Sequence, residues 1–133
     1  MFRKTQQKPS SRIETLIGAE TSIKGDIHFS GGLRVDGTIH GDVREIAGKA
    51  CTLVLSEHGR IEGAIESSHV VINGAVIGPV KASSYVELQN KSRVTGDVYY
   101  KTLEIHTGAV VEGKLVYIND SDVVNQELTS GQD

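Results

Sequence analysis

The chain has 133 residues and a formal net charge of −3, enough for one domain of common size and too few for two. Val (15) and Ile (12) outnumber Leu (8), with 2 Phe, no Trp and 15 Gly, a thin β-branched composition that points away from helices. No apolar run approaches the roughly 18–20 residues of a bilayer span, no apolar leader opens the chain, and the single Cys51 excludes an internal disulfide or a multi-cysteine zinc site, so the expected compartment is the reducing cytosol.

In chain order, residues 1–12 carry Arg3, Lys4, Lys8 and Arg12 and no acid. They lack the periodic apolar residues that offset ordering entropy and are expected to form a disordered tail. From residue 13 to 118 the chain repeats itself, and repeats define a fold before anything else does. An apolar-x-Gly-x-apolar pattern recurs as Ile23-Lys-Gly-Asp-Ile27, Ile39-His-Gly-Asp-Val43, Ile61-Glu-Gly-Ala-Ile65, Val76-Ile-Gly-Pro-Val80, Val94-Thr-Gly-Asp-Val98 and Val111-Glu-Gly-Lys-Leu115, with glycines 16, 22, 15, 18 and 17 residues apart. An alternating triplet precedes each later copy: Leu33-Arg-Val35, Leu53-Val-Leu55, Val70-Val-Ile72, Val86-Glu-Leu88 and Leu103-Glu-Ile105. Such period-2 alternation marks strands with one inward face. The turn between triplet and pattern is short at Asp36-Gly37 and Asn73-Gly74 and two residues longer in the other three copies. Asp-Gly and Asn-Gly are expected there because both partners tolerate positive φ. Residues 119–133 hold Asp120, Asp122, Glu127 and Asp133 and no base, a second expected disordered tail.

Hairpins of an antiparallel sandwich would also give short strands between turns. A sandwich, however, has no reason to keep one glycine at one offset six times, whereas stacked coils place equivalent residues above one another and need a small residue at each corner. The expectation is an all-β, single-domain β-solenoid of about six coils, three strands to a triangular coil, roughly 29 Å long at about 4.8 Å per coil. The apolar residues of the patterns and triplets form its core, and Cys51 is expected as a small core or near-surface residue.

Catalysis finds little support. His28, His40, His58, His69 and His106 fall at different coil positions and show no metal-binding spacing. Asp26, Asp42 and Asp97 share the position after the corner glycine, the first two stacking in adjacent coils as exposed carboxylates. Ser30-Gly31-Gly32 lacks the spacing and the helix of a phosphate loop, and no nucleotide or other cofactor is expected. The enzymatic alternative rests on a six-residue spacing (Ile17, Ile23, Phe29, Val35; Ile105, Val111) like that of hexapeptide-repeat acyltransferases, and the four-residue step across each corner glycine breaks it. A non-polymerising solenoid adaptor is the other alternative.

A solenoid has two ends with unpaired backbone, which soluble solenoids cap. Here the first coil (Leu16, Ile17, Ile23, Ile27) and the last (Leu103, Ile105, Val111, Leu115) are as apolar as the middle. These residues form the expected polymer interface, since exposed strand edges pair with other edges.

Val94-Thr-Gly-Asp-Val-Tyr-Tyr-Lys-Thr-Leu-Glu with Gly108-Ala-Val-Val-Glu-Gly-Lys-Leu115, and earlier Glu14-Thr-Leu-Ile-Gly18 and Phe29-Ser-Gly-Gly-Leu-Arg-Val-Asp-Gly37, resemble the bactofilins, bacterial cytoskeletal proteins, over about residues 13 to 117. The resemblance implies a right-handed triangular β-helix that polymerises without nucleotide into non-polar filaments at the inner face of the cytoplasmic membrane, as a scaffold for cell-wall or cell-shape proteins. Met1-Phe2-Arg3-Lys4 resembles the family's membrane-targeting segment. Met1 and Phe2 would enter the interface while Arg3, Lys4 and Lys8 meet anionic lipid at about 1 kcal/mol per base. Nucleic acid is a poor partner, because the body is acidic and has no aromatic-basic face.

Overall fold

The computed structural model describes residues 12–119. Met1, Phe2, Arg3, Lys4 and Lys8 and nearly all of the two expected tails lie outside the described residues. Within them the chain forms sixteen strands and no helix. Coil 1 comprises β1 (Ile13–Ile17), β2 (Ser22–Lys24) and β3 (Ile27–Phe29); coil 2 comprises β4 (Gly32–Val35), β5 (Thr38–His40) and β6 (Val43–Glu45). Next come β7 (Thr52–Leu55), β8 (Arg60–Glu62), the long β9 (Ile65–Ile72), β10 (Ala75–Ile77) and the long β11 (Val80–Leu88), then β12 (Arg93–Thr95) and β13 (Val98–Tyr100). Coil 6 is β14 (Thr102–Ile105), β15 (Val110–Glu112) and β16 (Leu115–Tyr117). β9 and β11 each close one coil and open the next, so six coils of three strands result, and every pairing is parallel. This is the expected β-solenoid.

Parallel register one coil apart stacks like on like. Ile17, Val35, Leu55, Ile72, Leu88 and Ile105 form one ladder on the first face. Ile23, Ile39, Ile61, Val76, Val94 and Val111 form a second, and Ile27, Val43, Ile65, Val80, Val98 and Leu115 a third. Each inward side chain therefore packs on an aliphatic neighbour of similar shape, and those of coils 2 to 5 are at most 1% exposed. Phe29, Cys51 and Ala82 join this core as well. Burial pushes the Cys51 thiol above its ordinary range.

The corner after each second strand explains the invariant offset of the glycine. A Cβ on Gly41 would stand 2.1 Å from the Gly25 carbonyl oxygen, on Gly63 2.1 Å from that of Gly41, and on Gly113 2.1 Å from that of Gly96. Each corner glycine carbonyl thus occupies the space that a side chain above it would need. The next residue completes the corner. The Asp26 carboxylate accepts the Asp42 N–H (2.8 Å), Asp42 that of Ala64 (2.8 Å) and Asp97 that of Lys114 (2.9 Å), so these acids tie one coil to the next instead of simply facing water. Where the upper coil offers Pro79, which has no N–H, the residue below is Ala64.

At the preceding corner the expectation of positive φ fails. Neither Gly37 nor Gly74 is in a left-handed conformation, and among the described residues no non-glycine residue has positive φ. The reason for glycine is space: a Cβ would lie 2.3 Å from Gly18 O and Thr21 O at Gly37, and 2.3 Å from Ser56 O at Gly74. Asn73 serves the coil above, its Oδ1 accepting the Lys91 N–H at 2.8 Å. At the third corner Glu45 holds coil 2 to coil 3. Its carboxylate accepts the Ser68 N–H (2.7 Å), the Ser68 hydroxyl (2.8 Å) and the Cys51 N–H (3.2 Å).

Candidate functional site: the open ends and the faces between them

Each strand of an end coil pairs on one side only among the described residues. At the C-terminal end the inward positions of coil 6 lose the cover that their counterparts have. Ile105 is 46% and Leu115 43% exposed, against none for Leu88 and Val98 one coil below, while Leu103 and Val111 are half-buried. These four residues, expected together at one end, are brought together there.

At the N-terminal end Ile23 and Ile27 are half-buried and Ile17 is buried. Leu16 differs from its neighbours in direction. It stands in register with Arg34, not with the inward Leu33 or Val35, and so faces outward from the first face, 59% exposed. A register shift between Ile13 and Thr15 puts Thr15 opposite Leu33 instead. The N-terminal end is consequently less apolar than the C-terminal one.

The five histidines do not converge, and one group that spacing alone misses forms around His106. Its Nε2 lies 3.1 Å from Glu87 and 3.3 Å from Glu104, and the Tyr85 hydroxyl donates to Glu104 at 2.6 Å. That hydrogen bond, with partial burial and the charge of Glu87, pushes the Tyr85 phenol above its usual range, and it lowers the Glu104 carboxyl in return. Three donor groups converge here, but the tyrosine and histidine already satisfy the carboxylates. His40 pairs with Glu62 at 3.0 Å, and Arg60 with His40 holds the Glu62 carboxyl low. His69 packs against Tyr85, and burial lowers its pKa. Of the neighbours Tyr99 and Tyr100, Tyr100 packs against the core beside Tyr117, and Tyr99 turns outward beneath the Lys81 ammonium. No described helix is long and apolar enough to cross a membrane.

The bactofilin family profile, described as polymer-forming cytoskeletal, matches residues 15–116. Bactofilin BacO of Myxococcus xanthus (strain DK1622) is 32% identical over 110 residues, which are 83% of this chain and 84% of that protein. Bactofilin BacP of the same strain is 25% identical over 107 residues, 80% of this chain but 43% of BacP. No solved structure matches the chain. Six stacked coils with one-sided strands at both ends fill the matched span, and the chain belongs to the bactofilins, the polymer-forming cytoskeletal family.

Proposed function

We propose that the chain is a non-enzymatic cytoskeletal scaffold whose β-solenoid, residues 13–118, joins end to end into nucleotide-independent, non-polar filaments at the inner face of the cytoplasmic membrane. Self-association itself follows from a polymer-forming family. The observation that supports the mode of assembly is the uncovered rim of coil 6, where Leu103, Ile105, Val111 and Leu115 continue the core ladders into solvent. Burying an apolar side chain contributes about 1.5–3 kcal/mol, so the exposed part of several such residues, met by the same rim of a second copy, supplies a two-fold contact. The less apolar N-terminal rim then meets its own kind, and alternating contacts give a filament without polarity.

The tail 1–12 is the membrane-binding segment in this reading. Met1 and Phe2 enter the interface, and Arg3, Lys4 and Lys8 attract anionic headgroups. One such tail binds weakly, but a filament presents many at once, and avidity makes the attachment stable. Cell-wall or cell-shape proteins are the partners that a membrane-apposed filament would organise.

Leu115→Glu tests the assembly, because it sets a carboxylate in an apolar contact at a cost of several kcal/mol. The expected result is small soluble species with the β-rich circular dichroism kept. Filaments of unchanged length would remove the coil 6 rim from the interface. Phe2→Ser with Lys4→Glu is expected to abolish co-sedimentation with anionic liposomes while leaving filaments intact; undiminished lipid binding would exclude the tail.

A further inference from the structure

The outward side of the first face changes character over the last two coils. β11 and β14 run in register, which sets Glu87 directly beneath Glu104, and period-2 alternation turns Tyr85, Gln89 and His106 to the same side. Val71 and Val54 hold the place of Glu87 in the two coils below, so the polar group is confined to coils 5 and 6. Like charges on adjacent rungs repel, yet among the described residues no arginine or lysine pairs with either carboxylate. Their common partner is a ring nitrogen. His106 Nε2 lies 3.1 Å from Glu87 Oε2 and 3.3 Å from Glu104 Oε2, and the three donor groups place their ligand atoms within 4.8 Å of one another. Ligand atoms of a tetrahedral site with bonds of about 2.0 Å stand about 3.3 Å apart, so the two edges that meet at Nε2 already have the length a metal ion sets. The edge between the carboxylates closes by a turn of Glu104, whose side chain is 57% exposed against 19% for Glu87. Outer bonds hold both acids from behind. The Tyr85 hydroxyl lies 2.6 Å from Glu104 Oε1 and 3.3 Å from Glu87 Oε1, and Gln89 Nε2 donates to Glu87 Oε2 at 3.1 Å. Such outer hydrogen bonds orient metal ligands, and the Tyr85 bond also keeps the Glu104 carboxyl low, in the ionised form that a ligand must have.

We propose that Glu87, Glu104 and His106 form a site for one divalent transition-metal ion of the zinc class. An imidazole among the donors favours such an ion over calcium or magnesium, which take shells of oxygen. The contacts of His106 with the two carboxylates need a proton on Nε2. A ligating ring carries that proton on Nδ1 instead, and the ion takes its place between the two Oε2 atoms, while the Tyr85 and Gln89 bonds stay. Three protein ligands leave one corner of the tetrahedron to water. Glu87 belongs to coil 5 and the other two ligands to coil 6, so the ion ties the terminal coil to the stack, whether or not the rim beyond it meets a second copy.

The test uses the full chain, stripped of metal with a chelator and titrated with Zn2+ alone by isothermal calorimetry. One ion per chain is expected. His106→Gln and Glu87→Gln should each weaken binding by at least about tenfold, with the circular dichroism of the parent kept, because neither side chain enters the core. His58→Gln, whose side chain is 75% exposed in another turn, should leave the affinity unchanged. Co2+ in place of Zn2+ should give the visible absorption of a four-coordinate ion, and His106→Gln should remove it, a readout of the ion's ligands and not of folding. The absence of saturable binding tighter than about 1 mM overturns the proposal, as does binding that survives His106→Gln or that His58→Gln weakens equally. Displacement of Zn2+ by an equal concentration of Mg2+ or Ca2+ overturns the assignment to the zinc class. None of these readouts depends on whether the chains form filaments.

Discussion

Three glycine-to-alanine substitutions at one corner separate the two reasons for which a β-solenoid needs glycine. At Gly63, which is not in a left-handed conformation, a Cβ would stand 2.1 Å from the Gly41 carbonyl oxygen. An unstrained carbon–oxygen approach is about 3.3 Å, so coils 2 and 3 must part there by about 1 Å. The flanking hydrogen bonds Gly41 N–H to Glu62 O (3.0 Å) and Val43 N–H to Ala64 O (2.8 Å) would stretch to about 4 Å, beyond useful range. Losing two buried bonds costs about 2–3 kcal/mol. Gly78 adds a backbone penalty, because φ is +145° and a Cβ would lie 2.3 Å from Gly63 O; the two effects together reach about 3–5 kcal/mol. Gly25, with φ +130° and nothing within 4 Å, carries only the backbone penalty of about 1–3 kcal/mol. Urea unfolding followed by circular dichroism, repeated over a range of chain concentrations to separate folding from assembly, should rank Gly78→Ala as most costly. A Gly63→Ala chain within about 0.5 kcal/mol of the parent, the ordinary range for a surface change, would refute the carbonyl ladder as the reason for the repeat.

Two further predictions concern polar contacts between coils. Ala64→Asp alone finds no N–H above it, because Pro79 occupies that position; Ala64→Asp with Pro79→Ala creates the same corner bond that Asp26 and Asp42 make. A double-mutant cycle in urea should therefore show a favourable coupling of about 0.5–1.5 kcal/mol, and no coupling would mean that the corner carboxylates do not tie the coils. At the far end of the first face the Tyr85 phenol is held above its usual range first by its bond to Glu104. Glu104→Gln should bring its ionisation back down in a spectrophotometric difference titration against Tyr85→Phe. The Glu104 carboxyl is itself lowered, so its contribution is complete above its unfolded pKa and is lost as pH falls through the lowered one. Tyr85→Phe should flatten that acid limb of the stability curve, and an unchanged limb would dissociate Tyr85 from Glu104.

Much of this architecture is legible before any coordinates, because a solenoid writes its register into its spacing. The apolar pairs around each corner glycine occupy the inner ladders, and the triplets lie where period 2 puts them. What was not legible belongs to neighbours one coil apart, which are adjacent only once register is known. Glu87 and His106 are 19 residues apart in sequence, and Glu45 reaches 23 residues to Ser68. The direction of Leu16 could not be read either, since Leu16 and Ile17 are adjacent apolar residues and the irregularity at Ile13 and Thr15 decides which one enters the core. The glycines of Asp36-Gly37 and Asn73-Gly74 lie in turns, but the backbone overlap that excludes a side chain there is a property of the stack and not of the dipeptide.

The proposed membrane attachment and partners both depend on there being a filament, so assembly is the claim to measure first. Purified full-length chain in moderate salt, with no nucleotide added, should show unbranched filaments by negative-stain electron microscopy. Uniform particles a few tens of ångströms long, at every concentration tried, would contradict end-to-end assembly and mean that the two rims are covered in solution.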